Sequence, residues 1–231
     1  FLSYSKKLVK KAQTVVLALL RTNPSYSGYS ITPEEEKTLS ECFSPFIDFL
    51  KEHFLTTPEE FKRFDKDKHI SFERFQRLYK GTDKKEGSEK PCNLVEANSY
   101  SATIVWSVIR SFIKGRDHNK FFTTEDYRAI QRDDRTVVTT DYEKIEKIFR
   151  NWYLPLSEKY WDDLDLVRYV LKKIDENPSC FNRYDIIYCD EAQDFTPIEN
   201  KLVLKLSSYT QYNLSGYKKI PVAYAGDPNQ T

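Results

Sequence analysis

Apolar residues near the start of the chain recur at helical spacing. Leu8, Ala12, Val15, Val16 and Leu19 fall on one stripe, with Lys6, Lys7, Lys10 and Lys11 clustered near its start, which predicts a helix. The residues ahead of it read as a strand end, and Asn23-Pro24-Ser25-Tyr26-Ser27-Gly28 reads as a loop leaving this layer. From residue 30 to residue 155 the helical period dominates. Thr32-Pro33-Glu34-Glu35 and Thr57-Pro58-Glu59-Glu60 each combine a capping threonine, a proline at the first helical position and a glutamate three residues on. Leu39, Phe43, Ile47, Leu50 and Phe54 then form the apolar stripe of the first of these helices. Ala102, Val105, Trp106, Ile109 and Ile113 do the same in a later helix, which Gly115 is placed to end. The stretch from Lys80 to Lys90 is polar and glycine-bearing and reads as a loop.

The period changes in the last third of the chain. Ile186-Ile187-Tyr188-Cys189 and Val222-Ala223-Tyr224-Ala225 are short, β-rich and bounded by polar residues, the pattern of buried strands in a parallel sheet. A helix precedes the first strand, and another, started by Thr196-Pro197-Ile198-Glu199, lies between the two. The expected fold class is α/β, with a partial sheet interrupted by a mostly helical insertion. The expected divisions are 1–29 for the first part of the sheet domain, 30–155 for the insertion and 156–231 for the second part. Trp106 and Phe112 sit within helical stripes and read as core, whereas Trp152 and Trp161 fall at the return from the insertion and are expected to brace it.

Composition narrows the partners only slightly. Lys+Arg 36 against Asp+Glu 35 leaves a formal charge of +1, so no global field announces a nucleic-acid partner, although local patches can hide in balanced totals. The longest apolar run, Val15 to Leu20, is far short of a membrane span. Cys42, Cys92, Cys180 and Cys189 are widely spaced and read as reduced thiols in a cytoplasmic (or, in a eukaryote, nuclear) protein. His53, His69 and His118 show no ligand spacing. The stretch from Asp65 echoes a calcium loop, yet its sixth and twelfth positions are Ile70 and Gln76 rather than glycine and glutamate.

The chemistry concentrates at the ends of the two late strands. Asp190-Glu191-Ala192-Gln193-Asp194 follows the first, and Gly226-Asp227-Pro228-Asn229-Gln230 follows the second. Ligands in parallel sheets bind just beyond the carboxyl ends of the strands, and consecutive carboxylates there suit a magnesium–phosphate complex. The two motifs resemble motifs II and III of superfamily I helicases of the UvrD/Rep type. Phe1-Leu2-Ser3-Tyr4-Ser5-Lys6-Lys7-Leu8 resembles that family's motif Ia, and Tyr160-Trp161-Asp162-Asp163-Leu164-Asp165-Leu166-Val167 resembles its "DF-x-DL" element.

The resemblance implies a RecA-like P-loop NTPase sheet carrying a helical insertion, and an ATP-dependent motor that moves along single-stranded or partly duplex DNA. It implies that Asp190 and Glu191 hold Mg2+, that Glu191 is the general base, and that Gln193 and Gln230 sense the γ-phosphate of ATP. Asp194 and Asp227 would couple that sensing to DNA-facing loops, and Tyr4, Ser5 and Lys6 would touch the nucleic acid. A P-loop requires a glycine followed by lysine, and none of Gly28, Gly81, Gly87, Gly115, Gly216 and Gly226 has one. The chain is therefore expected to be an internal slice of a larger motor, inactive alone and completed by a second motor domain of the same parent chain. Two alternatives stand beside this: a non-catalytic helicase-like module that binds nucleic acid or protein, and an RNA-directed helicase.

Overall fold

A computed structural model describes residues 1–22, 32–82, 92–208 and 222–226. The expected loop at 23–28, most of the expected loop at 80–90, and Asp227 and Gln230 lie outside the described residues. The chain is α/β, and it divides into two compact units.

The sheet-bearing unit comprises 1–54, 181–195 and 203–231. Its strands are β1 (Leu2–Ser3), β2 (Ser44–Pro45), β3 (Ile187–Cys189) and β4 (Val222–Tyr224), in the order β2-β1-β3-β4 with every pair parallel. Register pairs Leu2 with both Ser44 and Cys189, and Cys189 with Tyr224. All the strands therefore end at one edge of the sheet. Helix α1 (Lys6–Thr22) follows β1 directly, and α2 (Pro33–Glu41) and α3 (Phe46–Phe54) flank β2. Phe46, Leu50 and Phe54 are almost fully buried, each worth roughly 1.5–3 kcal/mol of burial.

Two sequence expectations need correction here. The stripe from Leu39 to Phe54 does not belong to one helix. Pro45 lacks an N–H and restricts the residue before it, so the helix stops at Glu41, and Ser44–Pro45 instead pairs with β1. Helix α1, by contrast, forms where helical spacing puts it, and its apolar stripe is partly open. Val9 is the residue buried, whereas Val15 and Leu19 are 47% and 61% exposed. The divisions differ as well: α2 and α3 cluster with the sheet, and 156–180 clusters with the helices.

The helical unit comprises 55–180 and 196–202. It contains α4 (Pro58–Arg63), α5 (Phe72–Lys80), α6 (Ala102–Val108), α7 (Thr124–Arg128), α8 (Thr139–Ile148), the single turn α9 (Leu154–Leu156) and α10 (Asp163–Glu176); α11 (Pro197–Leu206) starts in it. Thr32 and Thr57 form the full capping boxes that their sequences predict, each with the glutamate three residues on. α6 and α8 continue as π-helical turns, Ile109–Lys114 and Phe149–Tyr153. Gly115 follows the first, in right-handed geometry. A Cβ there would lie 2.2 Å from the Arg110 carbonyl oxygen and 3.0 Å from Thr196, so the position requires glycine. Phe75, Val105, Ile113, Tyr127, Tyr142 and Phe149 lie at the centre of the core. Trp161 is buried as a brace, its indole N–H donating to the Asp65 carbonyl at 2.7 Å.

The helical unit also buries charge. Lys114, 1% exposed, reaches Asp162 at 2.5 Å and Asp165 at 2.6 Å, and the Tyr153 hydroxyl donates to Asp162 at 2.6 Å. Asp162 also caps α10, accepting from the backbone N–H groups of Leu164 and Asp165. Burial works to raise the Asp162 carboxyl, but Lys114 and Tyr153 overcome it and hold the group below its ordinary range. Asp165 is pushed up, first by burial and then by the neighbouring Asp162 charge. The Tyr160–Val167 motif thus serves as a helix start and an ion-pair anchor. Among the described residues no helix is long and apolar enough to cross a membrane.

Candidate functional site

The candidate site lies on the sheet's carboxyl edge, where the segments after β1, β3 and β4 meet. Two backbone hydrogen bonds set the path after β3. The Asp190 N–H donates to the Leu2 carbonyl of β1 at 3.0 Å, and the Ala192 N–H donates to the Ala225 carbonyl, beyond β4, at 2.8 Å. Within two residues the chain changes neighbour from one side of β3 to the other. Glu191 absorbs that turn, with φ 54° and ψ 43°. It is the only non-glycine residue with positive φ among the described residues. Left-handed geometry costs an L-residue about 1–2 kcal/mol, and such strain gathers at functional sites. The Ala225 N–H donates to the Cys189 carbonyl at 2.8 Å, which locks the segment after β4 beside the acid loop.

The side chains follow from this path. Gln193 lies in the 3-10 turn Ala192–Asp194, and its amide nitrogen donates to a carboxylate oxygen of Glu191. Its other end, Oε1, is buried without a hydrogen-bond partner. A Cβ on Gly226 would stand 2.3 Å from that oxygen, so glycine at 226 makes room for the Gln193 amide. Sequence reading did not identify this role of Gly226; its place after an apolar strand and opposite a Gln-bearing motif was the available signal. Asp190 is half-buried, and its carboxylate has no protein donor among the described residues. Asp194 is exposed and serves the turn through its backbone N–H, which donates to the Glu191 carbonyl at 2.9 Å.

Asp190 and Glu191 are the two carboxylates at this edge that could hold a divalent cation. Magnesium needs only one or two carboxylates and keeps several waters, so this pair fits it. Among the described residues no group of three or more ligating side chains could cage a metal.

The three residues expected to touch nucleic acid all have partners within the sheet unit. The Tyr4 ring packs 5.0 Å from Phe195 and 5.6 Å from Phe46, centroid to centroid, forming an aromatic triad behind the edge. Ser5 Oγ accepts from the Leu8 N–H at 3.3 Å and starts α1. Lys6 pairs with Asp48 at 2.6 Å, in a contact open to solvent; such pairs are worth about 0–1 kcal/mol and release easily. The edge therefore brings together Tyr4, Ser5, Asp190, Glu191, Gln193 and Gly226.

Beside Asp190 the sheet carries an open apolar groove of about 830 Å³, lined by Leu8, Val15, Ile186, Tyr188 and Tyr224 among others. The outward stripe of α1 forms one wall. Burial raises the Tyr224 hydroxyl to about 12, so it remains a neutral donor throughout the physiological range.

Comparison of the sequence with protein-family models finds no matching family, and comparison with curated proteins finds no similar sequence.

Proposed function

We propose that the chain is part of the first motor domain of an ATP-dependent, UvrD/Rep-like helicase, with a RecA-like sheet and a helical insertion, working on single-stranded or partly duplex DNA. One observation carries the reading: the strained acid loop after β3 is hydrogen-bonded to the segment after β4, so the resemblances to motifs II and III become one edge. The β1 segment that resembles motif Ia lies on the other side of β3, at the same edge.

In this reading Asp190 holds Mg2+ largely through water, and the ion, when bound, neutralises charge on the nucleotide phosphates. Glu191 accepts the proton of the attacking water. Gln193 already holds one Glu191 oxygen, so a shift of its amide toward a phosphate would free that oxygen at the moment a nucleotide arrives. Gln230 would sense the γ-phosphate together with Gln193, and Asp194 and Asp227 would relay occupancy of the site to the DNA-facing segments.

Steady-state phosphate release by the full-length protein that contains this chain tests the assignment. Glu191→Gln should leave ATP binding intact and lower kcat by roughly 10²–10⁴, the range for a lost general base. DNA-stimulated hydrolysis within twofold of wild type would remove Glu191 from the chemistry. Nucleic-acid or protein binding without any hydrolysis would favour the non-catalytic module.

A further inference from the structure

Helix α1 is 17 residues long and carries Lys6, Lys7, Lys10, Lys11 and Arg21 without one acidic residue. The whole chain is nearly neutral at +1, so this is a local concentration of charge. Lys7, Lys10 and Lys11 stand three and four residues apart and share a face, opposite the buried Val9 on the helix. Lys6 and Arg21 are paired, with Asp48 and Glu36. Lys7, Lys10 and Lys11 are exposed and have no ion-pair partner among the described residues. With Thr14 and Val15 they bound a shallow depression of about 350 Å³. Like charges at these spacings repel, and the helix holds no acid to offset the repulsion.

We propose that Lys7, Lys10 and Lys11 form a phosphate rail for single-stranded nucleic acid. The inference rests on the motor reading for its choice of polyanion. α1 starts immediately beyond the carboxyl end of β1, so the rail begins at the acid-bearing edge and leads away from it. Lys7 and Lys11 are one turn apart, about 6 Å along the axis. Compact ammonium groups on flexible stems suit phosphate oxygens and carry no base preference. An anionic lipid surface offers the same charge. A membrane-bound helix must lay its apolar face in the bilayer, however, and here Val9 is buried and Leu8, Ala12 and Val16 are half-buried, which leaves only Val15 and Leu19 of that stripe exposed.

Fluorescence anisotropy of the 231-residue chain with a labelled thymidine oligonucleotide, across about 50 to 200 mM salt, tests the rail. Lys10→Glu/Lys11→Glu should weaken binding at least tenfold at the low-salt end. Lys10→Gln/Lys11→Gln should lower the log–log salt slope by about 1.4, two contacts at roughly 0.7 each. Unchanged far-ultraviolet circular dichroism and melting temperature would show that both variants fold. Wild-type affinity and slope in both folded variants would overturn the rail. Wild-type chain that binds no oligonucleotide at low salt would overturn it too. So would lysine-dependent co-sedimentation with phosphatidylserine vesicles in place of oligonucleotide binding. Hydrolysis by Glu191→Gln in the full-length protein is read independently, so each of these failures is separable from failure of the motor reading.

Discussion

Two carboxylate pairs, one in each unit, are treated in opposite ways. In the helical unit Asp162 and Asp165 are enclosed with Lys114 and Tyr153, and their oxygens face cations, hydroxyls or backbone N–H groups. At the sheet edge Asp190 has no protein donor among the described residues, and Glu191 is held in left-handed geometry with only the movable Gln193 amide on it. A satisfied charge in a closed core secures a fold. A half-open charge on a strained turn is a group kept available for something else. The comparison separates acids that resemble family motifs but act structurally, those in Tyr160–Val167, from acids whose chemistry is still free.

The sharpest way to break this contrast is to remove Lys114. Lys114→Ala leaves Asp162 and Asp165 buried without their cation and should cost about 3–5 kcal/mol. Trp106, Trp152 and Trp161 are the chain's three tryptophans and all lie in the helical unit, so urea unfolding followed by their fluorescence reads that unit directly. A loss under about 1 kcal/mol, the value of a surface pair, would mean the network is not structural.

A smaller effect should appear on the acid side. The folded Asp162 carboxyl lies below its unfolded value, so its contribution is present above ordinary carboxylate pKa values and is lost as pH falls through the folded value. Asp165 is raised, so it opposes folding at neutral pH and stops doing so as pH falls through its folded value. Asp162→Asn should therefore lower stability at pH 7 and flatten its fall toward acid. Asp165→Asn, which keeps an acceptor for the Asp162 N–H, should change neutral stability far less. Denaturant midpoints measured from neutral to acid pH would contradict the assignment if the two variants behaved alike.

The smallest expected change belongs to the sheet edge. Glu191→Gly relieves about 1–2 kcal/mol of left-handed strain and gives back part of it through the freer unfolded chain. Stability should hold or rise by up to about 1 kcal/mol, while the motor reading proposed above requires that hydrolysis by the full-length protein be lost. A clear destabilisation on chemical denaturation would show that the Glu191 carboxylate belongs to the fold, as Asp162 does.

Some of this was legible in the residues. The capping boxes at Thr32 and Thr57 close within four residues, so their sequence sufficed. The strands before Asp190 and Gly226 were visible as short apolar runs, but the burial expected of them holds only for Ile187 and Cys189, because Ile186, Tyr188 and Tyr224 face the open groove. Pro45 was a local signal too, and the regular stripe on either side of it concealed the break. Tyr4 could not be placed, because its partners Phe46 and Phe195 are distant in sequence and meet it only when β1, β2 and β3 assemble.

The sequence by itself determined which helices begin at a capping threonine, that Asp190 and Glu191 follow a strand, and which chain segments carry the candidate chemistry. Tertiary structure alone decided that Lys114 closes on Asp162, that Glu191 turns left-handed, and that Gly226 makes room for Gln193. Caps and periods are settled among neighbours a turn apart. The charge state, strain and packing of a side chain depend on groups that only the folded backbone brings within a few ångströms.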